Sequence, residues 1–485
     1  MNTRSGSDKK NVDRILLVLL GLFALLMAGL HFIRINFNTF WVDTAFSVDL
    51  IRLPFGEMLR ATSVNEHPPF YYIFGKAIML ILGDHPYAFR ASAFIPYLLI
   101  LVLALTYVRK NYGYAPAFII VGFSSFTPAS IVYVLETRMY ELGCLLTLAS
   151  FISLHLILKK KKGKRIIYWL LFFALSIMTA YTHYYLTVAV CIMYLCLIVY
   201  CIKEKYELKE CIIFSVLAIL SYLPWLGIML RNFGVRADDW WAGGYSHFDE
   251  TMREIFGLKR YYFLALLFIA FALVKAFMSR KKDLGRFWSI LTGTLMIFVT
   301  FGVGALVSEL VRPLFLSRFI YPLASIGWLL FGMGIEDALA CIKPIEKVKN
   351  VISAAFSFAL ALLLAFGCSG LYRENVAVQK EASALTNAFL DGVSIPAGST
   401  VYSDMEEEEF TIAGCYFPNT TVYIENAMFY YYVPEEESFY LVWKDYQVGE
   451  AVQNLNSYGY DVTCLASDGN LGMQGGVYVL FCRKY

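Results

Sequence analysis

Eleven apolar runs, each near the roughly 20 residues a helix needs to cross a bilayer, succeed one another up to residue 370. They lie at about 14–33, 87–108, 115–134, 139–158, 166–182, 184–202, 211–230, 260–279, 287–308, 316–335 and 350–370. A soluble chain needs roughly 25% charged residues to cover its surface. This one has 16%, against 59% apolar, in 485 residues. The fold class read from this pattern is an α-helical polytopic membrane protein with about eleven transmembrane helices. A net charge of +3 gives no basic field for nucleic acid.

Charge sets the expected topology. The loops with Arg109-Lys110, Lys159 to Arg165, Lys203 to Lys209, Arg280 to Arg286 and Lys343 to Lys349 are short and basic, which places them in the cytoplasm. The polar, basic residues 1–13 then form a cytoplasmic tail, and the run after them is too long for a signal-peptide core. One apolar stretch, 69–83, breaks this order if it crosses, because every later basic loop changes side. It is about 15 residues long with Lys76 in its middle, and reads as an interfacial or re-entrant helix in the first outer loop. Residues 34–86, 135–138, 231–259, 309–315 and everything after 371 then face outward. Lys275, near the inner end of its helix, is expected to snorkel.

Residues 371–485 read as a small extracytoplasmic α/β domain, with strands at 399–404, 420–424, 438–444, 460–466 and 476–482 and helical stretches at 380–390 and 446–457. Its cysteines are Cys415, Cys464 and Cys482, so at most one disulfide forms there. Cys464 with Cys482, on neighbouring strands, is the pairing to test. The ten cysteines of the chain show no metal spacing.

Ionisable groups where an outer loop meets a helix deserve the first look, since charge at membrane depth is costly. They collect on one predicted face: Asp43 in Phe40-Trp41-Val42-Asp43-Thr44, Glu66 and His67 before Pro68-Pro69, Glu136, Arg138 and Tyr140 in the second outer turn, His183 among tyrosines, and Arg312 with Arg318. Asp43 alone also suits a solvated loop acid at a helix start, and Arg138 a local partner of Glu136 or Glu141. His183 suits an interfacial aromatic belt better than a ligand. Taken together, a carboxylate to accept a hydroxyl proton and arginines to hold a phosphate suit glycosyl transfer from a lipid phosphate.

At these residues the chain resembles a known family. WVDT, HPPFYY, ETRMYEL, THYY, LPW (223–225) and RPLFLSRF, in that order over residues 14–335, resemble the bacterial protein-mannosyltransferase-like branch of the GT-C glycosyltransferases, glycosyltransferase family 39, relatives of the lipid A aminoarabinose transferase. The resemblance implies a GT-C-like catalytic domain over 14–370 with interfacial helices in its first outer loop. It puts Asp43 in the place of the catalytic aspartate, with His67 shaping the pocket and Arg138, Arg312 and Arg318 on the phosphate. Family members usually carry Asp-Glu where this chain has Asp43-Thr44, so the second carboxylate role passes to Glu66, Glu136 or to none. No cofactor is firmly implied, and a divalent metal fits as well as none.

The reading is therefore an inverting transferase in the cytoplasmic membrane, using a polyprenyl-phosphate sugar as donor and Asp43 as general base. The acceptor is a protein, a glycolipid or a cell-wall polymer. A lipid flippase or transporter is the rival, and calls for midplane charges or an internal repeat.

Overall fold

The computed structural model describes residues 2–64, 67–159, 165–235, 247–310, 315–342, 348–393, 395–396, 399–403, 416, 421–423, 436–444, 448–469 and 477–485. The chain divides into two compact units. The first is Met1–Ile33, Leu59–Phe74 and Arg90–Arg373; the second is Arg34–Met58, Gly75–Phe89 and Glu374–Tyr485.

Among the described residues nine helices are long and apolar enough to cross a membrane: Lys10–Phe32, Pro86–Tyr112, Tyr140–Leu158, Tyr184–Glu204, Leu208–Asn232, Lys259–Met278, Leu284–Leu310, Ser317–Leu339 and Lys349–Asp391. Three apolar helices are shorter, Phe70–Leu82, Tyr114–Phe126 and Ile166–Ala180. The last two coincide with expected crossings, and the first with the segment expected not to cross. The polytopic helical class holds.

The expected run 115–134 is not one helix. It stops at Phe126, and a second, short helix runs Pro128–Tyr133. Pro128 brings no backbone N–H and clashes with the preceding turn. Thr127 instead caps the new helix, its hydroxyl accepting from the Ser130 amide at 3.3 Å. Hydropathy averaged over a window does not register such a break. All 13 residues of Tyr114–Phe126 are buried, so protein surrounds it on every side.

Close helix packing explains part of that burial. A Cβ on Gly332 would meet the backbone of Pro116, and one on Gly334 the backbone carbonyl of Phe268. Neither obstacle is a flexible side chain. Gly332→Ala is therefore expected to cost about 1–3 kcal/mol by overpacking, while alanine at Gly227, which has open space, should cost much less. Thermal unfolding of the two variants in detergent checks this, and equal midpoints would refute it.

Several charges at helix ends are paired among the described residues. Asp337 holds Lys275 at 3.3 Å and Arg286 at 2.9 Å, and Glu336 holds Lys349 at 3.1 Å while accepting the Ala115 amide. Lys275, which can snorkel from its helix end, has a specific partner there. It sits against the carboxylate of Asp337, two residues from the end of the neighbouring helix Ala324–Leu339, and donates to the Asp337 carbonyl.

In the second unit, the helix Val42–Arg52 ends on a cation. The Lys76 ammonium donates to the carbonyls of Ile51 and Leu53 at 3.0 and 2.7 Å, taking up acceptors that a helix C-terminus leaves open. Arg52 pairs with Asp84 at 2.8 Å. Further along the same unit are five strands, β1 Val401–Ser403, β2 Thr421–Tyr423, β3 Ser438–Lys444, β4 Tyr460–Gly469 and β5 Val477–Lys484, in the order β2-β1-β3-β5-β4. β1 runs parallel to β2 and β3, and β5 antiparallel to β3 and β4. Phe439 and Leu441 on β3 alternate inward, as do Leu480 and Cys482 on β5. They meet Ala451 and Leu455 of the helix Val448–Ser457 in one core.

The proposed disulfide is absent: Cys464 and Cys482 are both free. β4 and β5 are neighbours as expected, but the register sets Cys482 against Val462 and Cys464 against Leu480. Cys482 is buried in the core and Cys464 is exposed. Cys415 lies outside the described residues.

Candidate active site

Loops far apart in sequence converge in the first unit. The turn between Pro128–Tyr133 and Tyr140–Leu158 is tight, with the Arg138 amide on the Glu136 carbonyl at 2.6 Å, and both side chains are buried. His67 precedes the helix Phe70–Leu82, whose first amide, that of Phe70, donates to the Tyr181 carbonyl at 3.0 Å. That bond ties the His67 loop to the one carrying His183. His183 caps the helix Tyr184–Glu204, and Arg318 sits in the turn Ser317–Phe319.

The rings of His67 and His183 stand 5.1 Å apart, with Phe319 at 6.1 and 5.0 Å from them. Tyr140 approaches His183 at 6.5 Å and Tyr133 at 4.5 Å. A guanidinium only donates, so the 3.1 Å contact between Arg138 and Nε2 of His67 makes that nitrogen an acceptor and puts the proton on Nδ1. Nδ1 of His183 accepts from the Tyr185 amide at 3.2 Å, which puts its proton on Nε2. Both protonated nitrogens are enclosed, and among the described residues neither has a hydrogen-bond partner.

Electrostatics agree with these tautomers. Burial, then Arg138, His183 and Arg318, hold His67 well below the usual histidine range. Burial, then Arg138 and Arg318, lower His183 to about 3. Both rings are neutral near pH 7, and the positive charge belongs to the arginines, which do not titrate there. Buried N–H donors beside guanidinium groups are chemically suited to an anion.

His67, Glu136, Arg138, Tyr140, His183 and Arg318 all belong to this unit. His183 is only 2% exposed, so it is a member of the cluster and not an interfacial belt residue. Asp43 belongs to the second unit. It lies half-buried in the first turn of Val42–Arg52, where an anion suits the helix dipole. Glu66 and Arg312 lie outside the described residues. Among the described residues, no group of three or more His, Cys, Asp or Glu is placed to hold a metal ion.

Sequence reasoning missed several neighbours. Arg90 is buried and donates to the Leu135 carbonyl at 3.4 Å, bracing the Glu136–Arg138 turn. Its signal was an arginine inside the run 87–108. Phe319 and Tyr133 gave none, being aromatics among many. Glu141 is fully buried and accepts from the Tyr321 hydroxyl, which also meets Ser130 at 3.1 Å.

The fold and this cluster define a multi-pass α-helical membrane protein with a buried cationic, aromatic site and a small five-stranded sheet. Solved structures that share the architecture include two of ArnT from Cupriavidus metallidurans. The apo state matches at 13% identity with a TM-score of 0.60, covering 96% of this chain and 97% of that one. The state bound to undecaprenyl phosphate matches at 12% identity with the same score and coverage. At this identity the likeness is one of fold. No family model matches the chain, and no curated protein does.

Proposed function

We propose that the chain is a glycosyltransferase of the cytoplasmic membrane that moves one sugar from a polyprenyl-phosphate carrier to an acceptor hydroxyl at the outer face. The observation that carries this reading is the buried pair of neutral histidines with unmatched N–H donors beside Arg138 and Arg318. A phosphate oxygen supplies what those donors lack. Support also comes from the shared fold of ArnT, one structure of which holds undecaprenyl phosphate. In this reading the chain is a distant member of the family-39-like branch, with its amino end inside and residues 371–485 outside.

Asp43 takes the proton of the acceptor hydroxyl as its oxygen attacks the anomeric carbon. The bond from that carbon to the phosphate oxygen breaks, and the phosphate leaves with the electron pair and an added negative charge. Arg138, Arg318 and Arg312 stabilise that charge, which is greater in the transition state than in the bound donor. A single displacement inverts the anomeric centre. His67 and His183 donate hydrogen bonds without adding charge, and Tyr140 lines the sugar side. Any second carboxylate role falls to Glu136, to Glu66, which precedes His67 in sequence, or to none. The acceptor is a protein, a glycolipid or a cell-wall polymer.

Mass spectrometry of lipid extracted from the purified protein tests the carrier. A co-purifying polyprenyl-phosphate sugar is the expected result. Bulk phospholipid alone, from folded protein, would overturn it.

A further inference from the structure

Beside the cluster, in the same unit, the helix His247–Phe256 packs against Pro128–Tyr133 and against the turn that carries Arg318. Met252, Ile255 and Phe256 are buried, and the Trp328 indole donates to the Ile255 carbonyl at 2.7 Å, which fixes the helix in rotation. Glu254 on this helix is half-buried. Its Oε2 is enclosed and has no hydrogen-bond partner among the described residues. Enclosing a carboxylate without a full set of donors is costly unless a cation stands near or the group takes a proton. Among the described residues, the arginine whose charge acts on it is Arg318, on the turn against which this helix packs.

We propose that Glu254 and the lipid phosphate compete for Arg318, so that donor uptake brings a proton from solvent onto Glu254. The inference rests on Arg318 being part of the phosphate site. A phosphate arriving at that arginine places a like charge near Glu254, and protonation removes the repulsion. No other bond changes.

Among the described residues, these groups face Glu254. His247 and Glu250 lie on its own helix, Ser317 and Arg318 on the adjoining turn, and Tyr133 on the short helix beneath. Glu250 is itself engaged, by His247 at 2.9 Å and by the Ser317 hydroxyl at 3.3 Å. Asp249 turns instead to Tyr262, Arg253 and Lys259. Burial and then Glu250 push the Glu254 carboxyl up to about 7, against the opposing pull of Ser317, Arg318 and His247. Below that pH the group is protonated with or without ligand, and affinity is full. As pH rises through 7, each binding event must also bind a proton, and affinity falls until the raised value in the complex is passed.

The test uses the full-length protein in detergent micelles, with undecaprenyl phosphate as probe and dephosphorylated polyprenol as reference, from pH 6.5 to 8.5. The probe's own second ionisation, near 6, acts in the opposite direction and cannot imitate the effect. Wild-type affinity should weaken about sixfold over this range for a rise of one pKa unit from about 7, while Glu254→Gln should change less than twofold. A flat or rising wild-type profile, or the wild-type slope kept in the variant, overturns the inference while leaving the phosphate site standing. Equal binding of the phosphate lipid and the polyprenol at every pH removes the phosphate site itself, and the inference with it.

Discussion

Replacing Asp43 by Asn is expected to lower sugar transfer by about 10²–10⁴-fold, the usual worth of a positioned general base, with binding of the lipid donor changed less than threefold. The amide keeps the shape of the side chain but cannot take the hydroxyl proton. In the first turn of Val42–Arg52 it also keeps an oxygen near the helix start, so folding should survive. Rate and donor affinity must be measured on the same preparation. A variant with near wild-type turnover would remove Asp43 from the chemistry, and a variant that loses donor binding in parallel would make it a binding residue.

Arg138→Met carries the second large effect. The wild-type guanidinium is 5% exposed and is anchored on Nε2 of His67. Losing one partner of a buried, charge-assisted pair costs roughly 2–5 kcal/mol, so affinity for undecaprenyl phosphate should fall by at least about 30-fold. Arg138→Lys should recover little of it, since an ammonium lacks the planar fork that serves both a histidine nitrogen and a phosphate oxygen. Competition binding with labelled lipid reads both variants. Full recovery by lysine would mean that Arg138 acts as a point charge only.

The spans were legible because a bilayer imposes one length and one polarity on every crossing. The stretch 69–83, kept from crossing by the parity argument, forms a helix of 13 residues at Phe70–Leu82. Strand positions from 399 to 484 were legible through alternation, as in Phe439 and Leu441. What the sequence could not show was which side chains the fold would enclose together. His183 looked interfacial because it has tyrosines on both sides, yet its ring stacks near His67, 116 positions away by number, and near Phe319. Nothing in the sequence singled out Glu254, and it gains its neighbours only where its helix packs against the turn Ser317–Phe319. The same limit explains the cysteine error, since neighbouring strands were foreseeable and their register was not.

The buried helix Tyr114–Phe126 has a bearing on how the protein responds to its lipid. Thirteen residues rise about 20 Å, well short of the roughly 30 Å hydrocarbon layer. Because every one of its residues faces protein, the shortfall is met by neighbouring side chains and produces no hydrophobic mismatch. Thinning or thickening the bilayer therefore acts only on helices with lipid-facing surface, such as Leu208–Asn232, which is 28% buried. Those helices can tilt to follow the membrane while Tyr114–Phe126, and the short helix Pro128–Tyr133 that follows it and leads into the Glu136–Arg138 turn, keep their length, so the geometry of that turn should be insulated from acyl-chain length.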